Sequence, residues 1–147
     1  MTDALVQFLR ARHDEDEEAA RRAGDSFRQI GDTGVIVATE GDRAEECATA
    51  NWAGIAEHIA RHDPARVLAE VDAKRRLVEL HGIVHREIGW LADGEEERGE
   101  VPVCGHCVQR NAHYLSRTDV PEGACTTLRL LALPDSSHPD YKPEWRP

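Results

Sequence analysis

The chain has 147 residues, 40% of them hydrophobic and only 5% aromatic, so we expect one domain over residues 1–147 with a modest aliphatic core. Its formal net charge of -10 argues against binding to nucleic acid or to an anionic membrane surface, where Lys and Arg must neutralise phosphates. No apolar run is long enough to cross a bilayer. The start, Met1-Thr2-Asp3, leads into an amphipathic segment and not a signal peptide, which predicts a cytoplasmic protein.

The N-terminal segment is predicted to form an amphipathic helix. Thr2 can cap its first turn, and Leu5 and Phe8 begin an apolar stripe at helical spacing. The acidic run 13–18 continues this helix as a solvated face, and Gly24 can end it.

Short strands are expected next. Residues 27–30 and 35–39 flank a Gly- and Asp-containing loop, a pattern typical of a β-hairpin with a four-residue connection. Residues 46–50 give a weaker signal for a third strand, and Cys47 within it is interpreted as a small core residue.

Two paired helices follow. Asn51 can cap the first, and Asp63 followed by Pro64 is a favourable start for the second, because Asp is a good N-cap and Pro is tolerated at the first helical position. The second helix is predicted to end near His81 and Gly82.

The C-terminal half is less regular. Residues 83–91 fit neither helix nor strand clearly, and residues 93–100 are interpreted as a flexible, Gly- and Glu-rich surface loop. Residues 128–133 predict a short helix. The Pro-rich tail after it is expected to be extended and to belong to the fold, because Tyr141 and Trp145 can bury area that a small aliphatic core lacks. The fold class is therefore α+β and mainly helical.

A cysteine cluster is the strongest chemical signal. Cys104 and Cys107 form a C-x2-C pair, and 17 residues separate Cys107 from Cys125, a usual gap for a small zinc site. Cys125 also precedes the predicted short helix, whose backbone N–H groups can stabilise a thiolate. In a reducing cytoplasm such a cluster indicates metal or redox chemistry more often than a disulfide. We therefore predict a Zn²⁺ site that staples the C-terminal segment.

The fourth zinc ligand is not determined by spacing. His81 is preferred because it ends the long helix on the face that carries the buried valines, and His85, His106 and His113 remain alternatives. His106 lies inside the C-x2-C turn and should point away from the metal. The competing interpretation is a set of ordinary reduced cysteines.

Two enzyme hypotheses compete with a structural zinc site. Cys-Gly-His-Cys at residues 104–107 is the active-site tetrapeptide of protein disulfide isomerases, but Pro102 precedes it and no β–α–β pattern surrounds it. His58 and His62 share a helix face beside Asp63, and the His-Asp dipeptide is like that of metal-dependent phosphohydrolases. The alternative is that Asp63 only caps a helix and the histidines stabilise the helix junction.

Three stretches of the chain carry distinctive motifs: residues 6–12 (VQFLRAR) with the acidic run after them, residues 58–68 (HIARHDPARVL), and the C-terminal stretch with 127–134 (TLRLLALP), 138–141 (HPDY) and 145–147 (WRP). Together these motifs resemble a family of small uncharacterised proteins from actinobacteria and their phages, known as a domain of unknown function. The resemblance implies a cytosolic protein, often from a prophage or mobile element, and no established activity.

We expect a non-enzymatic accessory or interaction protein with a structural zinc ion and a protein partner. The competing class is a metal- or thiol-dependent enzyme. The number of protein ligands on the metal distinguishes these two classes. Four protein ligands indicate a structural site, whereas three plus water leave a position open for catalysis.

Overall fold

A computed structural model describes residues 3–147 of the chain and shows an α+β protein, as predicted. The helices are α1 (Ala4–Ala23), α2 (Ala53–Arg61), α3 (Pro64–Leu80) and α4 (Thr126–Ala132). The strands are β1 (Ser26–Gln29), β2 (Val35–Glu40), β3 (Arg43–Thr49), β4 (Ile83–Ala92), β5 (Glu95–Cys104) and β6 (His113–Tyr114). Three 3-10 turns cover Arg117–Asp119, Leu133–Asp135 and Pro143–Trp145. No helix in this described range is long and apolar enough to span a membrane.

The strands form two three-stranded sheets, with the orders β1-β2-β3 and β5-β4-β6. The expectation of a mainly helical chain with one small hairpin therefore underestimated the strand content. The chain also divides into two compact units, a terminal unit of residues 3–12 with 74–147 and a central unit of residues 13–73. The single-domain organisation stays a prediction.

Helix α1 begins and ends for identifiable reasons. The N–H of Leu5 donates to Asp3 Oδ1 at 2.8 Å, so Asp3 caps the first turn, and the predicted cap Thr2 lies outside the described residues. The helix stops at Gly24, as predicted, where φ is +108°. A Cβ on that residue would also lie 3.0 Å from the carbonyl oxygen of Thr39, which favours glycine there.

The central unit confirms the predicted hairpin, formed by the antiparallel strands β1 and β2, and the weakly signalled third strand, which is β3. Cys47 is exposed and does not belong to the core, because β3 is an edge strand whose residues are all exposed. The predicted Asn51 cap was also wrong, since Trp52 is the capping position of α2 and makes no side-chain cap bond. Asp63 caps α3 as predicted, with the N–H of Arg66 donating to its Oδ1 at 2.9 Å.

Hairpin β4–β5 dominates the sheet of the terminal unit. Its ten residue pairs run from Ala92 opposite Glu95 to Ile83 opposite Cys104. The predicted loop 93–100 is therefore wrong: only Asp93 and Gly94 form the turn, with φ of 50° and 86°, as in a type I′ turn. The strand was missed because residues 95–100 are mostly charged and exposed, which removes the apolar alternation that identifies strands.

Two apolar clusters form the core of the terminal unit. The first joins α1, α3 and α4 through Leu5, Val6, Phe8, Leu9, Val78, Leu128 and Ala132. The second lies on the sheet and contains Ile88, Val101, Val103, Val108 and Val120.

The C-terminal tail packs on the first cluster, as the sequence predicts. The ring centroid of Phe8 lies 6.0 Å from that of Tyr141 and 5.1 Å from that of Trp145. Two 3-10 turns interrupt the tail, so it is less extended than predicted.

Candidate metal centre

Four side chains of the terminal unit converge on one point, namely His81, Cys104, Cys107 and Cys125. Their potential ligand atoms all lie within 4.8 Å of one another. These are the four residues that the sequence analysis selected. They form a candidate metal-binding cluster.

The β4–β5 register aligns the first two of these side chains. His81 directly follows α3 and stands two residues before β4, while Cys104 is the last residue of β5 and pairs with Ile83. The N–H of Gly105 donates to the carbonyl oxygen of Gly82 at 2.9 Å, which extends the pairing past the strand end. The helix end and the strand end are therefore held side by side.

A tight turn brings Cys107 back toward Cys104. The N–H of Val108 donates to the carbonyl oxygen of Cys104 at 3.1 Å, and the N–H of Cys107 donates to the Cys104 Sγ at 3.4 Å. Arg86 on β4 supports this turn from outside, because its guanidinium donates to the carbonyl oxygens of Gly105, at 2.8 Å, and Val108.

A bridge to β5 positions the third thiol. The N–H of Gly123 donates to the carbonyl oxygen of Pro102 at 2.8 Å, and Glu122 forms an isolated antiparallel bridge with Val103. The chain then reaches Cys125, which directly precedes α4 with an extended backbone.

The distances around His81 fit a tetrahedral metal better than hydrogen bonding. His81 Nδ1 lies 3.4 Å from the Sγ of Cys104 and 3.5 Å from the Sγ atoms of Cys107 and Cys125. A tetrahedral zinc with Zn–S of about 2.3 Å and Zn–N of about 2.0–2.1 Å separates N from S by about 3.5–3.6 Å. A ring nitrogen offers one lone pair or one N–H, so it cannot form three equivalent hydrogen bonds.

Two of the thiols, Cys107 and Cys125, have pKa values shifted in opposite directions. The residue Cys107 is exposed, but desolvation of its sulfur, together with the neighbouring thiols of Cys104 and Cys125, raises its pKa to about 12. Burial also opposes ionisation of Cys125, but hydrogen bonds from the backbone N–H groups of Leu128 and Thr127 and from the other thiols lower its pKa below the ordinary value. This N–H support at a helix start is what the sequence analysis predicted for Cys125.

The alternative histidine ligands lie elsewhere. Within residues 3–147, the group of potential ligands that includes the thiols contains no histidine other than His81. His85 is exposed on β4, and His113 on β6 approaches Glu96 and Arg98. His106 is exposed in the turn, and its ring centroid lies 4.9 Å from that of His81.

The other two candidate active sites lack the expected geometry. His58 and His62 are exposed, with ring centroids 4.4 Å apart, and no third metal-ligand side chain joins them in the part of the chain that the structure describes. Asp63 accepts hydrogen bonds from the N–H groups of Arg66 at 2.9 Å and Phe27 at 3.3 Å, so its carboxylate is engaged as a cap. The Cys-Gly-His-Cys segment follows an antiparallel strand, whereas a thioredoxin-type site lies in a β–α–β framework.

Two arginines that support the cluster, Arg86 and Arg129, were not predicted from the sequence. Arg86 reaches the C-x2-C turn only because of the strand register, which the sequence does not give. Arg129 donates to the carbonyl oxygens of Ala124, at 3.2 Å, and of Glu144, at 3.2 Å, and so connects the segment before Cys125 with the tail. Its place on α4, four residues after Cys125, was the available signal.

Residues 2–147 match the sequence model of a protein family described as "Family of unknown function (DUF6221)". No curated protein and no solved structure matches the chain.

Proposed function

The chain belongs to this family of unknown function, as its sequence predicts, and we propose that it is a small accessory protein stabilised by one structural zinc ion. The ligands are His81 Nδ1 and the sulfurs of Cys104, Cys107 and Cys125. The near-equal distances of 3.4–3.5 Å from the imidazole nitrogen to all three sulfurs carry this proposal. Three thiolates and one imidazole favour zinc over the hard cations Mg²⁺ and Ca²⁺, which prefer oxygen ligands.

A structural role follows from the ligand count. Four protein ligands complete a tetrahedron, whereas catalytic zinc sites keep one position for water or substrate. The ligands come from the end of α3, the end of β5 with its following turn, and the start of α4. One ion would therefore connect three elements of the terminal unit, and this supports a stabilising role over metal-dependent catalysis.

The proposed cellular setting rests on the thiols and the charge. A reducing cytoplasm keeps thiols available as ligands, and all four cysteines are free. The net charge of -10 favours a protein partner over nucleic acid. The actinobacterial or phage origin stays a prediction.

Metal analysis of untagged protein tests the proposal. We expect about one zinc per chain. Replacement of zinc by Co²⁺ should give the intense visible bands of a tetrahedral thiolate complex. The variants Cys104→Ser and His81→Ala should lose the metal, while Cys47→Ser, which removes an exposed thiol outside the cluster, should keep it.

Two results would overturn the proposal. A fully folded protein without metal would exclude a structural ion. An X-ray absorption spectrum with three protein ligands and one water oxygen would instead favour the enzyme hypothesis.

A further inference from the structure

We propose that Cys107 is an oxidation site for hydroperoxides and that its oxidation releases the metal. This inference rests on the proposed zinc centre and adds a regulation to it. The three cysteines of the centre differ in solvent exposure and in the backbone N–H groups that donate to their sulfurs. Cys107 is the most exposed, and within residues 3–147 its sulfur accepts no backbone N–H.

Exposure separates the three thiols first. Cys104 is 1% exposed and Cys125 is partly buried, whereas Cys107 is exposed. A cavity of about 260 Å³ opens beside the cluster and is lined by all three cysteines together with Glu122 and Arg129. A molecule as small as hydrogen peroxide can enter a cavity of this size and reach the sulfur of Cys107.

Backbone hydrogen bonding is a second difference among the three thiols. The Sγ of Cys104 accepts the N–H of Cys107 at 3.4 Å, and the Sγ of Cys125 accepts the N–H groups of Thr127 and Leu128. Within residues 3–147, no backbone N–H is found to donate to the Sγ of Cys107. Donated N–H bonds withdraw electron density from a thiolate and reduce its nucleophilicity. The sulfur of Cys107 is therefore the strongest nucleophile of the three.

The reaction balances without a change in the oxidation state of the metal. The metal-bound thiolate of Cys107 attacks one peroxide oxygen, the O–O bond breaks, an S–O bond forms, and the second oxygen leaves as water after taking a proton from solvent. The sulfenic acid is then attacked by the thiolate of Cys104 or Cys125, both within 4.8 Å. An S–S bond forms and a second water leaves with another solvent proton. In total, two thiolates transfer two electrons to the peroxide. The zinc ion stays Zn²⁺ and loses two of its ligands.

Peroxide treatment of metal-loaded Cys47→Ser protein tests this inference. Metal content is measured first, and released zinc is then followed with a coloured chelator while dimedone traps sulfenic acid for peptide mass mapping. We expect zinc release to proceed as peroxide is consumed. With dimedone present, the adduct should lie on Cys107. Without dimedone, a disulfide that includes Cys107 should form.

Two variants that each keep four potential metal ligands make the test more specific. Cys107→His removes the reactive sulfur, and we expect zinc release about tenfold slower or more. Cys125→His is the matched control, because it keeps Cys107 and Cys104 and should release zinc at close to the original rate. If either variant fails to bind zinc, the mass mapping of the Cys47→Ser protein decides.

The outcomes separate the two proposals. Protein isolated folded and without metal overturns the zinc centre and this inference together. Zinc-loaded protein that forms its first adduct at Cys104 or Cys125, or that keeps its metal under peroxide, overturns the oxidation site alone.

Discussion

The guanidinium of Arg86 donates a hydrogen bond to the carbonyl oxygen of Gly105 at 2.8 Å, across from strand β4 to the turn that carries two of the candidate metal ligands. A second donor of the same group reaches the carbonyl oxygen of Val108. Arg86 therefore holds both sides of the turn between Cys104 and Cys107. A planar group with several fixed donors suits this task better than the single ammonium of lysine.

Replacing Arg86 by Met should weaken zinc binding by about 10-fold to 100-fold, because outer contacts that orient ligands contribute on this scale. Competition with a chelator measures the affinity. Arg98→Met is the control, since Arg98 is 49% exposed and pairs with glutamates on the hairpin. Unchanged affinity in the Arg86 variant would show that the turn holds its shape without this side chain.

Zinc affinity should rise with pH. Desolvation of its sulfur raises the pKa of Cys107 to about 12, so in metal-free protein this thiol is protonated at neutral pH and must release its proton to bind metal. Release of the Cys107 proton alone makes the apparent affinity rise about tenfold per pH unit below that pKa, and the affinity falls correspondingly on acidification. Chelator competition at several pH values gives the slope. A pH-independent affinity would contradict thiolate coordination, and Cys107→His should show a smaller slope.

Asp63→Ala should lower the free energy of unfolding by about 1 kcal/mol, because α3 loses its N-cap. Denaturant titration measures the change, and metal content should stay as in the unmodified protein. Asp32→Ala, at an exposed loop position, serves as the control and should change stability by less than about 0.5 kcal/mol. Loss of metal with unchanged stability would instead support a His-Asp metal site.

Trp145→Ala should destabilise the protein by about 1–3 kcal/mol, less than the loss of a fully buried aromatic ring, because the indole is only partly buried against Phe8. Trp52→Ala is the matched control, since Trp52 is 64% exposed. Thermal melts compare the two. Deletion of residues 139–147 should lower the melting temperature as well, and an unchanged melt would show that the tail adds nothing to stability.

Local signals predicted much of the fold. The Asp63-Pro64 pair marked the start of α3, Gly24 ended α1, and apolar periodicity located the buried faces of both helices, because these features depend on neighbouring residues only. Hairpin β4–β5 was missed because the outer half of β5 is charged on both faces. The dipeptide Asp93-Gly94 between two extended segments was the signal that could have identified it.

The candidate ligands were also predicted, since C-x2-C spacing and a helix start are local features. Choosing His81 over the other histidines required only the helical face on which it lies. The contacts of Arg86 required the register of β4 against β5, a long-range property that the sequence does not show. The exposure of Cys47 was mispredicted because a weak strand signal cannot distinguish an edge strand from a central one.

The ten-pair ladder of β4 and β5 links the position of Cys104 to the two-residue turn at Asp93 and Gly94. This turn lies roughly 30 Å from Cys104, at about 3.4 Å per residue. Adding one residue to either strand alone would rotate every side chain beyond it to the opposite face and turn Cys104 away from His81. Viable length variants of this hairpin are therefore restricted to those that add or remove residues on both strands together, or that absorb a single extra residue in a bulge before the ladder reaches Cys104.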